Sequence, residues 1–356
     1  MRESGADPAA HAAGDRKAAA AAGDARAADT GAGPRRSGSA LRRHWPKLRR
    51  LLVLAFFGIV AALLYRYART VDWSSVVETL RGYRLQTLAP AVALAALSYL
   101  LYASYDLLAR RYTGHELSRS RTLAVALISY AFNLNLGALV GGAAFRLRLY
   151  SKVGLAQAVV LRVIAFSVTT NWLGYMCVAA FAFTLARLPL PDDWRLAGSS
   201  LSLIGVLAGL LALGWLAMCL WSKRREATFF GHRIELPSAR LALMQLAVAS
   251  LNWLMIAAVM YLLLRGQVAY PTVLAIALLG AVAGALTHIP AGLGVLEAVF
   301  LGVLGTELGH GPLLAALLAY RAIYYVGPLV LAVAGWLALE TTIGRLARQR
   351  VIKDSS

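Results

Sequence analysis

The sequence predicts an all-α polytopic membrane protein with six full spans and two re-entrant broken-helix hairpins arranged as an inverted repeat. Of its 356 residues, 59% are hydrophobic and only 15% are charged. Apolar runs long enough to cross a bilayer core of about 30 Å recur along the chain. Two further apolar stretches are interrupted by glycines and polar residues, which distinguishes them from ordinary spans.

The chain divides into a tail, a membrane domain and a second tail. Residues 1–40 are rich in Ala, Gly, Asp and Arg and lack an apolar core, which predicts a disordered tail. We expect residues 41–340 to form the transmembrane domain and residues 341–356 to form a basic cytoplasmic tail. The predicted full crossings are residues 51–66, 86–106, 157–185, 196–221, 241–264 and 313–339.

The two interrupted stretches lie between these spans. The first covers residues 122–155, and its interrupting residues are Asn133, Asn135, Gly137, Gly141 and Gly142. The second covers residues 272–305 and is interrupted over residues 288–294. Backbone polar groups that a break frees cannot face lipid, so at membrane depth they must be buried in protein or line a wet cavity. The breaks therefore predict a path through the protein.

The distribution of basic residues predicts the topology, because Lys and Arg in short loops favour the cytoplasm. If each interrupted stretch leaves on the side it entered, the cytoplasmic loops hold 21 Lys and Arg and the outer loops hold 7. If the first stretch spans fully, the counts become 12 and 16. The first arrangement places both termini in the cytoplasm. It also makes the second half an inverted copy of the first, an architecture that sets a substrate site between the halves.

Two opposite charges stand inside apolar sequence in the second half. Glu297 follows the second break, and Arg321 lies within the last predicted span. A charge at mid-membrane costs about 2.5–3.5 kcal/mol on insertion scales, so each side chain should face the interior and have a partner. We expect them to pair at a cavity, where the guanidinium of Arg321 could bind a lipid phosphate beside Gly292 and Gly294. A purely architectural pair is the alternative.

The first half offers a second group of candidate residues. Arg146 and Arg148 follow the first break, and Lys152 lies close by, so this cluster could collect anionic headgroups or simply flank the membrane. Asn171 lies half-way along its span, where an amide can replace headgroup hydration or bond a neighbouring helix. Asn135, like Asn133, could line the path or cap a half-helix.

Several motifs of the chain resemble those of the lysylphosphatidylglycerol synthase/flippase transmembrane family, over residues 50–340. The resemblance rests on residues 141–150 (GGAAFRLRLY), 167–175 (SVTTNWLGY), 289–297 (IPAGLGVLE) and 320–321 (YR). It implies a helical domain that moves or binds phospholipids, in the inner membrane of a bacterium. The chain departs from the family in two places: Ala291 stands where two glycines often follow the proline, and the soluble aminoacyl-transferase domain is expected to be absent.

We therefore expect a non-enzymatic protein that transfers or flips phospholipid, with anionic lipid favoured, and that needs no cofactor, metal or nucleic acid. A lipid-modifying enzyme or a transport partner could accompany it. Two alternatives stay open. One is a scaffold that regulates a lipid or cell-envelope enzyme without moving lipid. The other is a polyprenyl-phosphate-dependent glycosyltransferase that uses the acidic pair Asp192 and Asp193.

Overall fold

The computed structural model describes residues 73–185, 198–222, 226–229, 232–287 and 289–338. The predicted span at residues 51–66 and both predicted tails lie outside these residues. Within them, the helices are α1 (Trp73–Arg81), α2 (Leu85–Thr113), α3 (Arg119–Leu136), α4 (Phe145–Lys152), α5 (Gln157–Leu185), α6 (Gly198–Trp221), α7 (Ala239–Leu263), α8 (Tyr270–Thr287), α9 (Val295–Leu308) and α10 (His310–Ala338). One antiparallel hairpin, β1 (Glu226–Phe229) with β2 (His232–Glu235), joins α6 to α7.

Six of the described helices are long and apolar enough to cross a membrane, which confirms the all-α polytopic class. Five of them, α2, α5, α6, α7 and α10, match predicted spans. The sixth is α8, which the sequence assigns to the first arm of the second hairpin. At 1.5 Å per residue, its 18 residues extend about 27 Å, close to the thickness of a bilayer core.

Helix α2 continues seven residues past its predicted end. Its last turn contains Arg110 and Arg111, whose charge alone would indicate a loop. Cations are favourable there because they interact with the negative end of the helix dipole. Gly114 then ends the helix in a left-handed conformation (φ +70°), and its N–H donates to the carbonyl of Arg110.

The first predicted break is present. Helix α3 ends at Leu136, Gly137 takes φ +85°, and a π-helical turn (Ala138–Ala144) leads into α4. The returning chain packs tightly on α3: a Cβ added to Gly141 would lie 1.9 Å from the carbonyl oxygen of Phe132. Only glycine permits this approach, which explains the interruption of the apolar sequence.

The second predicted break is also present, between α8 and α9. Ala291, Gly292 and Gly294 have φ values of +57°, +55° and +79°. The two helices pack on each other, with a Cβ added to Gly280 lying 2.8 Å from Leu296. Re-entry of each broken segment from opposite membrane faces stays a prediction, as does the inverted relation of the two halves.

Small residues bring the spanning helices together. A Cβ added to Gly174 of α5 would lie 2.3 Å from the Cβ of Ala249 on α7, so these backbones are in close contact. Helices associate in lipid through such van der Waals packing.

On α6, large apolar side chains face outward: Leu210, Leu211 and Leu213 are each about 60% exposed. The exposed apolar surface is the one expected to contact lipid.

Candidate functional site: a cavity where the two breaks meet

Both breaks line the same cavity. Its volume is about 290 Å³, and it is open rather than enclosed. Gly137 and Ala138 contribute from the first break, and Ile289, Ala291 and Gly292 contribute from the second. The two interrupted segments therefore share one cavity, whose volume is near the lower end of the range of ligand pockets, about 300 Å³. A path through the protein stays a prediction.

The described lining of this cavity is mainly apolar, and it includes several polar side chains but no charged one. Of the predicted site residues, Asn171 and Gly292 line it, together with Asn133. The other polar lining side chains are those of Trp253 and the tyrosines Tyr102, Tyr130, Tyr320, Tyr324 and Tyr325. Amides and phenols can replace the water around a polar headgroup without a fixed charge.

Glu297 and Arg321 form the predicted ion pair, at the wall of the cavity. The Arg321 Nε–H donates to Glu297 Oε1, and Nη2 lies 3.0 Å from Oε2. Nη1 and Nη2 also donate to the carbonyls of Ala291 and Gly292, at 3.0 and 3.1 Å. Four acceptors therefore occupy a group with five N–H donors.

Glu297 also stabilises the break from its other side. Its Oε2 accepts from the backbone N–H of Gly294 at 3.0 Å, which caps the first turn of α9. Together the two side chains bind three backbone groups that the break frees, as membrane depth requires. This geometry fits the alternative that the pair has an architectural role. Few N–H donors of the Arg321 guanidinium stay available for a ligand.

Arg146 forms a second buried pair, with Asp106 of α2, a residue that the sequence reasoning missed. Arg146 Nη2 lies 3.1 Å from Asp106 Oδ1, and the two side chains are 3% and 0% exposed. Asp106 also accepts from the hydroxyls of Tyr150 at 2.7 Å and Ser167 at 2.6 Å. The charge rule that identified Glu297 could have found Asp106, but the predicted span ended on it.

Arg146 thus lies inside the bundle, not at its surface. Its guanidinium carbon is 5.5 Å from the ring centre of Tyr102, which lines the cavity. Its Nε and Nη2 make no hydrogen bond of normal geometry within the described part of the chain. In the second half, Arg321 similarly lies 5.1 Å from the ring of Tyr325, another lining residue. Each arginine therefore lies against a tyrosine that lines the cavity.

The remaining predicted residues lie around this centre. Asn135 donates to the carbonyls of Ala131 and Tyr325, at 2.8 and 3.2 Å, and so joins the first break to α10. Arg148 is exposed, with its guanidinium 5.6 Å from the ring of Trp336. His288 and the acidic pair Asp192 and Asp193 lie outside the described residues.

A buried hydroxyl network supports the tyrosine side of the cavity. Ser98 bonds both Asn252 (2.6 Å) and the Tyr324 hydroxyl (2.7 Å), and Tyr130 reaches that same hydroxyl at 3.1 Å. Tyr99 donates to the Tyr324 carbonyl at 3.0 Å, at a π-helical turn (Ala322–Val326) of α10. The sequence places Tyr99 and Tyr324 in predicted spans and Tyr130 in the first interrupted stretch, but their convergence depends on tertiary packing.

One ionisable group lies at the end of α2 near Asp106. Burial lowers the pKa of His115 from its ordinary value, Arg110 adds to this by charge repulsion, and Asp106 opposes it. Neither ring nitrogen of His115 has a hydrogen-bond partner in the described residues. His115 is therefore held toward its neutral form beside the first ion pair.

Comparison with known proteins agrees with this architecture. Residues 51–332 match the family model described as the lysylphosphatidylglycerol synthase TM region. The chain is 42% identical to the inner membrane protein YbhN of Escherichia coli (strain K12) over 303 residues, which cover 85% of this chain and 95% of that protein. It is 30% identical to the uncharacterized protein slr0712 of Synechocystis over 298 residues, covering 80% and 90%. The chain is therefore a multi-pass membrane protein of the lysylphosphatidylglycerol synthase transmembrane family.

Proposed function

We propose that this protein transfers or flips phospholipid through the cavity between its two broken segments, in a bacterial inner membrane and without enzymatic chemistry. The observation that carries the proposal is that both breaks line one partly open cavity that holds amide and phenol groups. A headgroup could enter this cavity while its acyl chains stay in lipid. The inner-membrane relative and the family's name support the setting.

The uncharged lining and the two ion pairs have different roles on this proposal. Amides and phenols on the lining would replace headgroup hydration. The Glu297 and Arg321 pair would hold the second break in shape. Arg146, whose donors are less fully used, would supply positive charge from behind Tyr102. On this proposal the preference for anionic lipid depends on Arg146, with Arg148 and Lys152 raising the local concentration of anions.

Reconstitution into liposomes tests this proposal. Labelled anionic and zwitterionic phospholipids would be followed across the bilayer for the wild type and for Ala281→Phe, which fills the cavity. We expect the substitution to abolish most transfer. The matched control is Ala96→Phe, the same change at an exposed position of α2, and it should leave transfer unchanged. Thermal unfolding of both variants separates blockage from misfolding. Equal transfer by a folded Ala281→Phe variant would overturn the proposal.

The same assay tests the charged residues. Arg321→Ala and Glu297→Gln should both reduce transfer. The first removes the donors that bind the carbonyls of the second break, and the second removes the counter-charge that holds Arg321 in place. Arg146→Gln should reduce the transfer of anionic lipid more than that of zwitterionic lipid. Equal transfer by the wild type and all three variants would remove these residues from the site.

The two alternative functions make different predictions. A scaffold that regulates a lipid or cell-envelope enzyme would move no lipid after purification and reconstitution. A glycosyltransferase would lose its activity when Asp192 and Asp193 are both changed to Asn, whereas a transporter would keep its rate. No described residue favours either alternative over transfer.

A further inference from the structure

A second cavity lies at the opposite end of α2 from the Asp106 and Arg146 pair. Its volume is about 410 Å³. It forms where α1 and the turn after it, the end of α7 and its following turn, the end of α9 and the start of α10 converge, so it lies at one end of the spanning bundle. The described residues that carry its polar character are Glu78, Thr79, Tyr83, Arg265 and Gln267.

Helix α1 has the properties of a helix that lies in the membrane interface. Trp73, Val77 and Leu80 are 47%, 42% and 37% exposed, and their spacing of four and three residues places them on one helical face. Glu78 and Thr79 lie on another face and line the cavity. A short amphipathic helix with an exposed aromatic and apolar stripe settles at headgroup level, which sets the depth of the cavity.

The cavity has one acidic and one basic side chain that do not pair with each other. Glu78 and Arg265 both line it, yet no ion pair joins them among the described residues. The Arg265 guanidinium lies 4.8 Å from the ring centre of Tyr83. Tyr83 is itself fixed, because its hydroxyl donates to the carbonyl of Leu263 at 2.6 Å.

Arg265 has a backbone conformation that is rare for its residue type. Its φ is +53°, in the left-handed region that favours glycine. A residue other than glycine in this region is strained and persists only where the surroundings impose that conformation. The turn after α7 therefore directs a specific cation into this cavity at a cost in stability.

We propose that this cavity binds the aminoethyl phosphate headgroup of a zwitterionic membrane phospholipid, with the phosphate at Arg265 and the primary ammonium at Glu78. Separated opposite charges match a headgroup that carries both signs. A primary ammonium can donate hydrogen bonds to the carboxylate, which a trimethylated amine cannot do. A glycerol headgroup has no cation for Glu78. The site does not depend on transfer through the central cavity.

The test measures lipid retained by the full chain in nanodiscs that contain equal amounts of ethanolamine, choline and glycerol phospholipids. Native mass spectrometry would count each headgroup. We expect Glu78→Gln to lower the ratio of retained ethanolamine lipid to glycerol lipid by about tenfold, the size expected for one lost charge-assisted hydrogen bond. Arg265→Gln should lower retention of all three headgroups at this site.

Matched controls are Arg84→Gln and Glu116→Gln, exposed positions outside the cavity, which should leave retention unchanged. Thermal unfolding checks that each variant is folded. An unchanged headgroup ratio in folded Glu78→Gln would overturn the proposal. Soluble phosphoethanolamine that binds as tightly as the lipid would assign the site to a free ligand and overturn the lipid assignment. This experiment measures how much lipid the protein retains, not how fast it transfers lipid. A negative result would therefore reject the headgroup site without rejecting the proposed transfer function.

Discussion

Two ion pairs each join a residue that follows a break to a residue on a spanning helix, but the charges are exchanged between them. In the first half the carboxylate, Asp106, lies on a spanning helix and the guanidinium, Arg146, follows the break. In the second half Glu297 follows the break and Arg321 lies on the spanning helix. Each arginine stands behind a tyrosine that lines the central cavity.

The two pairs also differ in which partner has its hydrogen bonds satisfied. In the first pair the carboxylate of Asp106 is contacted by Arg146 Nη2 at 3.1 Å and by two hydroxyls, while Arg146 Nε has no hydrogen-bond partner in the described residues. In the second pair the guanidinium is nearly saturated by Glu297 and two carbonyls. The second pair therefore fixes a backbone break, whereas the first pair holds a buried cation with fewer hydrogen-bond partners.

The largest expected effect is on the first pair. Asp106→Asn leaves the guanidinium of Arg146 buried without a counter-charge, which should lower the free energy of unfolding by about 3–5 kcal/mol. Reversible unfolding in mixed micelles would measure this loss. The double variant Asp106→Asn with Arg146→Gln removes both charges, so it should recover part of the stability. A single variant as stable as the wild type would mean that the pair is not buried in the membrane.

A smaller effect is expected at the second pair, which is 12–15% exposed. Glu297→Gln removes the charge but retains an oxygen that can cap Gly294, so it should cost about 1.5–3 kcal/mol in the same unfolding measurement. Glu307→Gln, at an exposed position near the end of α9, provides the control. A loss as large as that of Asp106→Asn would remove the proposed difference between the pairs.

The smallest expected effect is at the second break itself. Ala291 has a positive φ, which glycine adopts without strain, and its carbonyl rather than its side chain contacts Arg321. Ala291→Gly should therefore keep lipid transfer and change the unfolding free energy by no more than about 1 kcal/mol, since glycine's added freedom in the unfolded chain offsets the relieved strain. A strongly destabilised variant would show that the Ala291 methyl group packs specifically at the break.

The sequence predicts polar or glycine interruptions of an apolar segment better than it predicts which distant segments come into contact. Both breaks and the pairing of Glu297 with Arg321 follow from polar or glycine residues in apolar sequence. Asp106 is also a charged residue in a spanning helix, but it stands at the end of the predicted span. Arg110 and Arg111 indicate a loop by their charge, whereas α2 in fact continues through them. The tyrosine network and the turn that carries Arg265 depend on contacts between distant segments, which spacing along the chain does not encode.

The most direct test of the account asks whether both breaks face one wet cavity that lipid uses. Single cysteines at Ala138 and at Ala281, in a chain without Cys177 and Cys219, would be treated with a charged thiol reagent in membranes, beside a lipid-facing control at Leu211. If both breaks face such a cavity, both cavity positions should react fast and the control should react slowly. Lipid transfer should be lost after either cavity position is modified. Slow reaction at both, or full transfer after modification, would contradict it.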